Sequence, residues 1–266
     1  MTESELARSW RGAVTGELCW LDADGRPAAL SVIPLSDAGQ PCVALPYAQE
    51  ARIAGLREAG EVAFVVSDSR SLRADQPALV GFGGVTVVDD VEGERFSDGL
   101  LEVELRKYPP SRALADSPLL RREHWWWLPR VLVRLRGATR VDELAARTNP
   151  ARHAVLVRGG AAGLTVDTVD IAEWAEPRIR LTALAGGELD ARDEPGLLFG
   201  YDYSMPDLER WESWTARGWA HGAEFAVDGL TGSPEVNLGP LRLRERMRRQ
   251  RDLAKSCQRA LGDRVL

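Results

Sequence analysis

Few residues in this 266-residue chain have the types and spacing to do chemistry. The densest group is His124-Trp125-Trp126-Trp127-Leu128-Pro129-Arg130. Read as a strand, it puts Trp125 and Trp127 on one face and Trp126 on the other, because side chains alternate. One face then packs a core while the other offers a flat aromatic wall to a planar ring ligand. Packing both faces into a core or an interface is the commoner fate of large aromatics. Arg130 is either an anchor for a carboxylate or a partner for Glu123. A second cluster, Trp211, Trp214 and Trp219, sits at helical spacing and reads first as core. The third feature is a run of arginines at 242, 244, 246, 248, 249 and 251. It is either the solvated face of a helix or a surface for an anionic partner.

Other chemistries are excluded by what the chain lacks. It has no HExxH, no GxSxG elbow and no GxxxxGK[ST] loop, and its three histidines are scattered, so a zinc enzyme is not expected. Gly81-Phe82-Gly83-Gly84 imitates a dinucleotide loop, but Thr86 stands at the third glycine position and no helix pattern follows. With no self-contained catalytic motif, an enzymatic role would need a cofactor to supply the chemistry. The balance of 34 basic against 40 acidic residues argues against nucleic acid as the main partner. No apolar run reaches the roughly 18 residues of a membrane helix. The acidic start Met1-Thr2-Glu3-Ser4-Glu5 is unlike a targeting segment, and Cys19, Cys42 and Cys257 have no CxxC spacing. A cytoplasmic protein is expected.

The elements that must position these residues are mostly strands. Thr2-x-x-Glu5 reads as a capping box opening a short helix that carries Leu6 and Trp10. Leu18 to Leu21 and Ala28 to Ile33 flank an Asp22-Ala23-Asp24-Gly25 hairpin turn. Cys42 to Leu45 follows through Asp37-Ala38-Gly39. Tyr47 to Ala59 reads as a helix with Ile53 and Leu56 inward and Gly60 as its left-handed cap. Val62 to Val66, Ala78 to Val88 and Trp125 to Leu135 are strands, and Ser97 to Lys107 is a helix stopped by Pro109-Pro110. Lys107 to Arg112 is then a basic loop, either an ordinary turn, the commoner case, or the border of a cleft. The expected fold is a mainly β, antiparallel barrel with helices at its margins.

Residues beyond about 148 repeat the pattern weakly. An offset of 136 places Cys19-Trp20-Leu21 on Val155-Leu156-Val157, Ser31 to Pro34 on Asp167 to Asp170, and Pro41 to Leu45 on Pro177 to Leu181. Small adjustments match Phe64 with Phe199 and Gly84 with Gly222. The helix between strands is missing from the second copy, where Gly186-Gly187 to Pro195-Gly196 takes its place. Chance similarity between two β-rich halves is the alternative to duplication. After the last of these strands, Ser204 to Asp207 reads as the cap of a helix carrying Leu208, Trp211 and Trp214, closed by Gly218. A long helix from about Leu241 ends the chain, with Leu243, Met247, Ala254, Cys257 and Leu261 as a narrow apolar seam. The expected divisions are 1–147, 148–240 and 241–266.

The order and spacing of the first half resemble the FMN-binding split-barrel family, the pyridoxamine 5'-phosphate oxidase-like proteins. The stretches that carry the resemblance are Gly16 to Pro27, Tyr47 to Val66 and Val80 to Asp90, within residues 10 to 145. The resemblance implies an antiparallel split barrel, a flavin cofactor (FMN, with deazaflavin or haem in some relatives) and oxidoreductase chemistry on an unidentified small-molecule substrate; the alternative is a non-catalytic haem- or deazaflavin-binding split-barrel protein. It implies that Arg52, on the short helix, holds the flavin phosphate, with Gln49 where the family often has a hydroxyl and with Glu50 close by. Arg52 as an ordinary surface residue is the alternative. The remaining cofactor-binding candidates are Ser31, Ile33, Leu45, Tyr47, Trp126 and Arg130, with no metal site and no assigned catalytic residue. His124 is the candidate haem ligand, although a hydrogen-bonded structural histidine is the commoner outcome. Family members pair two barrels around the cofactor, so this chain is expected either to form a homodimer or to supply both barrels as an intramolecular pseudo-dimer. Only the first half keeps the basic helix, which allows one flavin-type site per pair.

Overall fold

The computed structural model describes residues 4–74, 76–116, 124–161, 163–174, 177–234 and 238–262. Thr2 of the expected capping box and Glu123, the expected partner of Arg130, lie outside them. Helix α1 (Glu5–Gly12) is capped instead by Ser4, whose Oγ accepts from the Ala7 amide at 3.2 Å. Its buried Leu6 and Trp10 face the first barrel, and the Trp10 indole donates to the Leu35 carbonyl at 2.8 Å.

Nine antiparallel strands form that barrel as two sheets. They are β1 (Gly16–Leu21), β2 (Pro27–Val32), β3 (Leu35–Asp37), β4 (Gln40–Pro46), β5 (Val62–Val66), β6 (Ala78–Gly83), β7 (Val85–Asp90), β8 (Arg130–Leu135) and β9 (Arg140–Leu144). One sheet runs β2-β1-β5-β6-β9 and the other β3-β4-β8-β7. The chain passes from one to the other at Gly84, so the strand expected over Ala78 to Val88 is two strands with a bend between them. Six more strands, β10 (His153–Gly160), β11 (Gly163–Ile171), β12 (Arg178–Ala183), β13 (Arg192–Tyr203), β14 (Trp211–His221) and β15 (Glu224–Thr231), close a second barrel in the order β10-β11-β12-β15-β14-β13. The fold is thus mainly antiparallel β in split-barrel form, with a C-terminal helix.

Both halves lay their strands side by side in the same order, and the pairing corrects the expected alignment. Cys19 pairs Ala63 as Val155 pairs Phe199, so Ala63, and not Phe64, is the counterpart of Phe199. Glu17 pairs Ser31 as His153 pairs Asp170, so Ser31 falls on Asp170, three residues from Asp167, because the β10–β11 hairpin is longer. Val43 and Ile179 hold their expected match, and both are buried inside their barrels. The bend at Gly84 corresponds to the irregularity at Arg217/Gly218, not to the turn at Gly222. A Cβ on Gly218 would lie 1.8 Å from the Ala226 carbonyl oxygen, so only glycine lets the strands approach there.

Several expected helices differ. Tyr47–Arg57 is a 3-10 helix, and Gly60 has no left-handed backbone, since the segment ends at Glu58 with φ −100°. Phe96–Leu100 makes a π-turn before α2 (Leu101–Lys107), and Pro109-Pro110 open helix α3 (Pro109–Ala115), because proline fits a first helical turn. Trp125–Trp127 is a 3-10 turn and only Arg130–Leu135 is strand. The helix expected over Leu208 to Gly218 is strand β14. Its Ser204-to-Asp207 cap is instead a turn in which Ser204 Oγ is hydrogen-bonded to the Asp207 carboxylate.

The two barrels share an apolar seam. Cys19, Val65 and Phe82 on the outer face of the first sheet pack against Val155, Val157, Phe199 and Tyr201 of the second barrel. Within the seam lies a polar network. Glu17 Oε1 accepts from Arg147 (2.6 Å), Ser67 (2.7 Å) and Tyr201 (2.8 Å), all buried. These bonds span both barrels and the segment that joins them. The last helix, α4 (Leu243–Gly262), returns to the first barrel, where Cys257 and Leu261 are fully buried. Leu243 and Met247, expected in the same apolar seam, are 68% and 45% exposed. No helix among the described residues is long and apolar enough to cross a membrane.

Candidate functional site

A cleft of about 470 Å³ opens between the first barrel, the second barrel and α4. That volume is in the range of small-molecule sites. Strand β2 with the residue after it contributes Ser31 and Ile33, strand β4 contributes Leu45, and the 3-10 helix contributes Gln49 and Arg52. Five of the eight predicted cofactor-binding residues therefore come together.

The other three do not line the cleft. Tyr47, the first residue of the 3-10 helix, is buried, with its hydroxyl donating to Asp89 at 3.3 Å. The 3-10 turn at 125–127 rotates successive side chains by about a third of a turn instead of alternating them. Trp127 consequently faces the cleft, Trp126 is buried away from it, and Trp125 is exposed. Arg130 is fully buried and cannot anchor a soluble ligand. Its guanidinium stacks over Phe96 (3.9 Å) and Trp127 (4.8 Å) and lies 3.6 Å from Glu104. It acts as a cationic prop behind the aromatic wall.

Arg52 stands at the rim, donating to Gln49 Oε1 at 3.0 Å. Among the described residues no carboxylate lies within ion-pair distance of it. Glu50, expected to compete, is instead 4.0 Å from Arg57, which also holds Asp89 at 2.6 Å. Partial desolvation lowers the Arg52 pKa from its ordinary value, yet a guanidinium stays charged at any physiological pH. The rim therefore carries a cation with no carboxylate partner among the described residues, an arrangement suited to an oxyanion.

Other lining groups were not assigned to the cofactor site from sequence. Tyr108, Pro110 and Ser111 come from the segment that read first as a loop, so Lys107 to Arg112 does border the cleft. Burial pushes the Tyr108 phenol up to about 12, so it remains a donor at neutral pH. Ser111 donates to Glu104 Oε1 at 2.6 Å, which fixes that carboxylate in the cleft wall. Across the cleft stand Glu209, Trp211 and Ser213 of the second barrel, and Arg246, Arg249 and Gln250 of α4. The indole nitrogen of Trp211 is buried with no hydrogen-bond partner among the described residues. The alternation Trp211–Ser213 was the available signal, masked by the helical spacing of the tryptophans.

His124 does not line the cleft; it packs edge-on against Trp126 at 5.9 Å. No histidine, cysteine or methionine is among the lining residues, and no metal-binding group of side chains is found among the described residues.

No protein-family description matches the chain, and neither does any curated protein. Among solved structures it is similar to the conserved hypothetical protein Rv2991 from Mycobacterium tuberculosis, at 21% identity over 54% of this chain and 84% of that one, with a TM-score of 0.38. It is also similar to HutZ, the haem storage protein of Vibrio cholerae, at 13% identity over 55% and 98% of the two chains, with a TM-score of 0.37. A haem-binding protein from Mycobacterium smegmatis aligns over 98% of this chain and 99% of its own at 12% identity, with a TM-score of 0.33. All three TM-scores are low, and the fold assignment rests on the strand order and pairing of the chain itself.

Proposed function

We propose that the chain is an FMN-binding oxidoreductase of the split-barrel type, with a tandem pair of barrels (1–147 and 148–240) and a helical extension (241–266) supplying both sides of one cytoplasmic cofactor site. The observation that carries the reading is the convergence of Arg52, with no carboxylate partner among the described residues, the polar Gln49 and Ser31, and the apolar Ile33, Leu45 and Trp127 on a single cleft. A phosphate on Arg52 and a planar ring against Trp127 use those groups as their chemistry demands.

When bound, the flavin supplies hydride or electron transfer. The chain's residues bind and orient. Arg52 and Gln49 hold the phosphate end, Ile33 and Leu45 exclude water, and Tyr108 and Ser31 present hydroxyl donors. Arg130, held in place by Glu104, keeps Trp127 from turning. Haem is the poorer fit, since among the described residues no histidine, cysteine or methionine lines the cleft and His124 lies outside it. Deazaflavin shares the phosphate and the planar ring and is separated by its spectrum.

Titrating purified protein with FMN should quench flavin fluorescence, and Arg52→Ala should weaken uptake about tenfold or more, as expected for loss of one charged phosphate contact. A protein that ignores FMN but gives a Soret band with haem, or that takes up deazaflavin alone, would overturn the assignment.

A further inference from the structure

The cleft has a second wall, built of arginine–carboxylate pairs, that the phosphate does not need. Arg246, Arg249, Gln250 and Leu253 recur at the three- and four-residue spacing that places them on one face of α4, and all four line the cleft. Arg246 is held by Glu209 at 2.6 Å, and Arg249 by Glu212, with Glu245 a further 3.7 Å contact. Both arginines keep substantial exposure, 52% and 38% of their side chains, so these pairs are screened and weak. The half of the helix that carries them has no apolar anchor, since Leu243 and Met247 are exposed while Cys257 and Leu261 are buried at the far end. Beside this wall is the Trp211 indole N–H, buried and without an acceptor among the described residues. A buried donor left unpaired costs free energy that a ligand oxygen would recover.

Resting on the reading of the cleft as the ligand site, we infer that Arg246, Arg249 and Trp211 form a subsite for a carboxylate-bearing reactant. Glu209 and Glu212 hold these guanidiniums and are displaced when the reactant enters. Two arginine–carboxylate pairs already stand there, so the ligand exchanges like for like. The substrate class is therefore a small organic acid, bound across the cleft from Arg52.

The test uses the full chain without flavin and malonate as the probe, followed by isothermal titration calorimetry, with inorganic phosphate as a second arm. Removing the cations (Arg246→Gln with Arg249→Gln) should weaken malonate binding about tenfold or more. Removing the competing carboxylates (Glu209→Gln with Glu212→Gln) should strengthen it several-fold, an opposite change that simple loss of packing would not produce. Trp211→Phe should weaken malonate binding while keeping the ring. Circular dichroism and thermal melting identify any variant that fails to fold. Equal malonate affinity in all folded variants, or phosphate binding where malonate does not, would overturn the subsite. Flavin uptake is not needed for this titration, so its failure and that of the cofactor reading are read separately.

Discussion

Lys107 shows how a single side chain registers its surroundings. Its ammonium donates to the Pro34 carbonyl at 2.6 Å, and desolvation, aided by Arg106 and Arg11, lowers its pKa to about 7. An unfolded lysine titrates near 10.4. Below about pH 7 both states hold the proton and the cost of burying the charge is fully present. Between about 7 and 10 the unfolded chain binds more protons, so this group makes stability rise with pH. Urea unfolding of the wild type should show that rise, and Lys107→Met should flatten it while raising stability at pH 7. At this scale the sequence was informative through the resemblance, which named Ser31, Ile33, Leu45, Gln49 and Arg52, and all five line the cleft. It was misleading at Arg130, because a guanidinium's value as an anchor depends on exposure, and burial behind Trp127 and Phe96 is a tertiary fact. The pairs Arg246–Glu209 and Arg249–Glu212 were not legible, since each joins residues 37 apart along the chain.

Among the elements, strands with strict alternation were legible and those rich in tryptophan were not. β1 reads directly, with Leu18 and Trp20 inside the barrel and Cys19 on the seam. In β14, Trp211 and Trp214 are three apart, which mimics a helix face, yet on a strand that spacing sends them to opposite faces. Trp214 fills the second barrel's core while Trp211 reaches the cleft. The 3-10 turn at Trp125–Trp127 was hidden for the same reason, three identical residues giving no period to read. Helix α4 was legible as a helix, but its seam was only half right: the chemistry of Leu243 equals that of Leu261, and only the latter meets the first barrel. Docking at one end has a measurable result. Leu261→Ala should cost about 3 kcal/mol of docking stability, seen as faster amide hydrogen exchange throughout α4 with little change in the barrels.

For the whole molecule, the repeated strand order was foreshadowed by the offset of 136, which holds for β1/β10, β4/β12 and β5/β13. It failed where hairpin length changed, because an insertion shifts letters without disturbing pairing. How closely the barrels approach was not readable at all. A Cβ on Gly159 would fall 2.7 Å from the Gly25 carbonyl oxygen in the β1–β2 turn of the other barrel. Gly159→Val should therefore force the halves apart there, costing about 2 kcal/mol by overpacking, with a lower midpoint in thermal melting and greater protease sensitivity at the seam. The network on Glu17 carries a consequence for anyone who would sever the chain near residue 148. An amino-terminal fragment would forfeit the Tyr201 phenol from that carboxylate and bare Cys19, Val65 and Phe82 to water. The carboxyl-terminal piece would surrender Phe199 and Tyr201 likewise. Each fragment should precipitate when expressed singly and recover solubility only when the two are produced side by side.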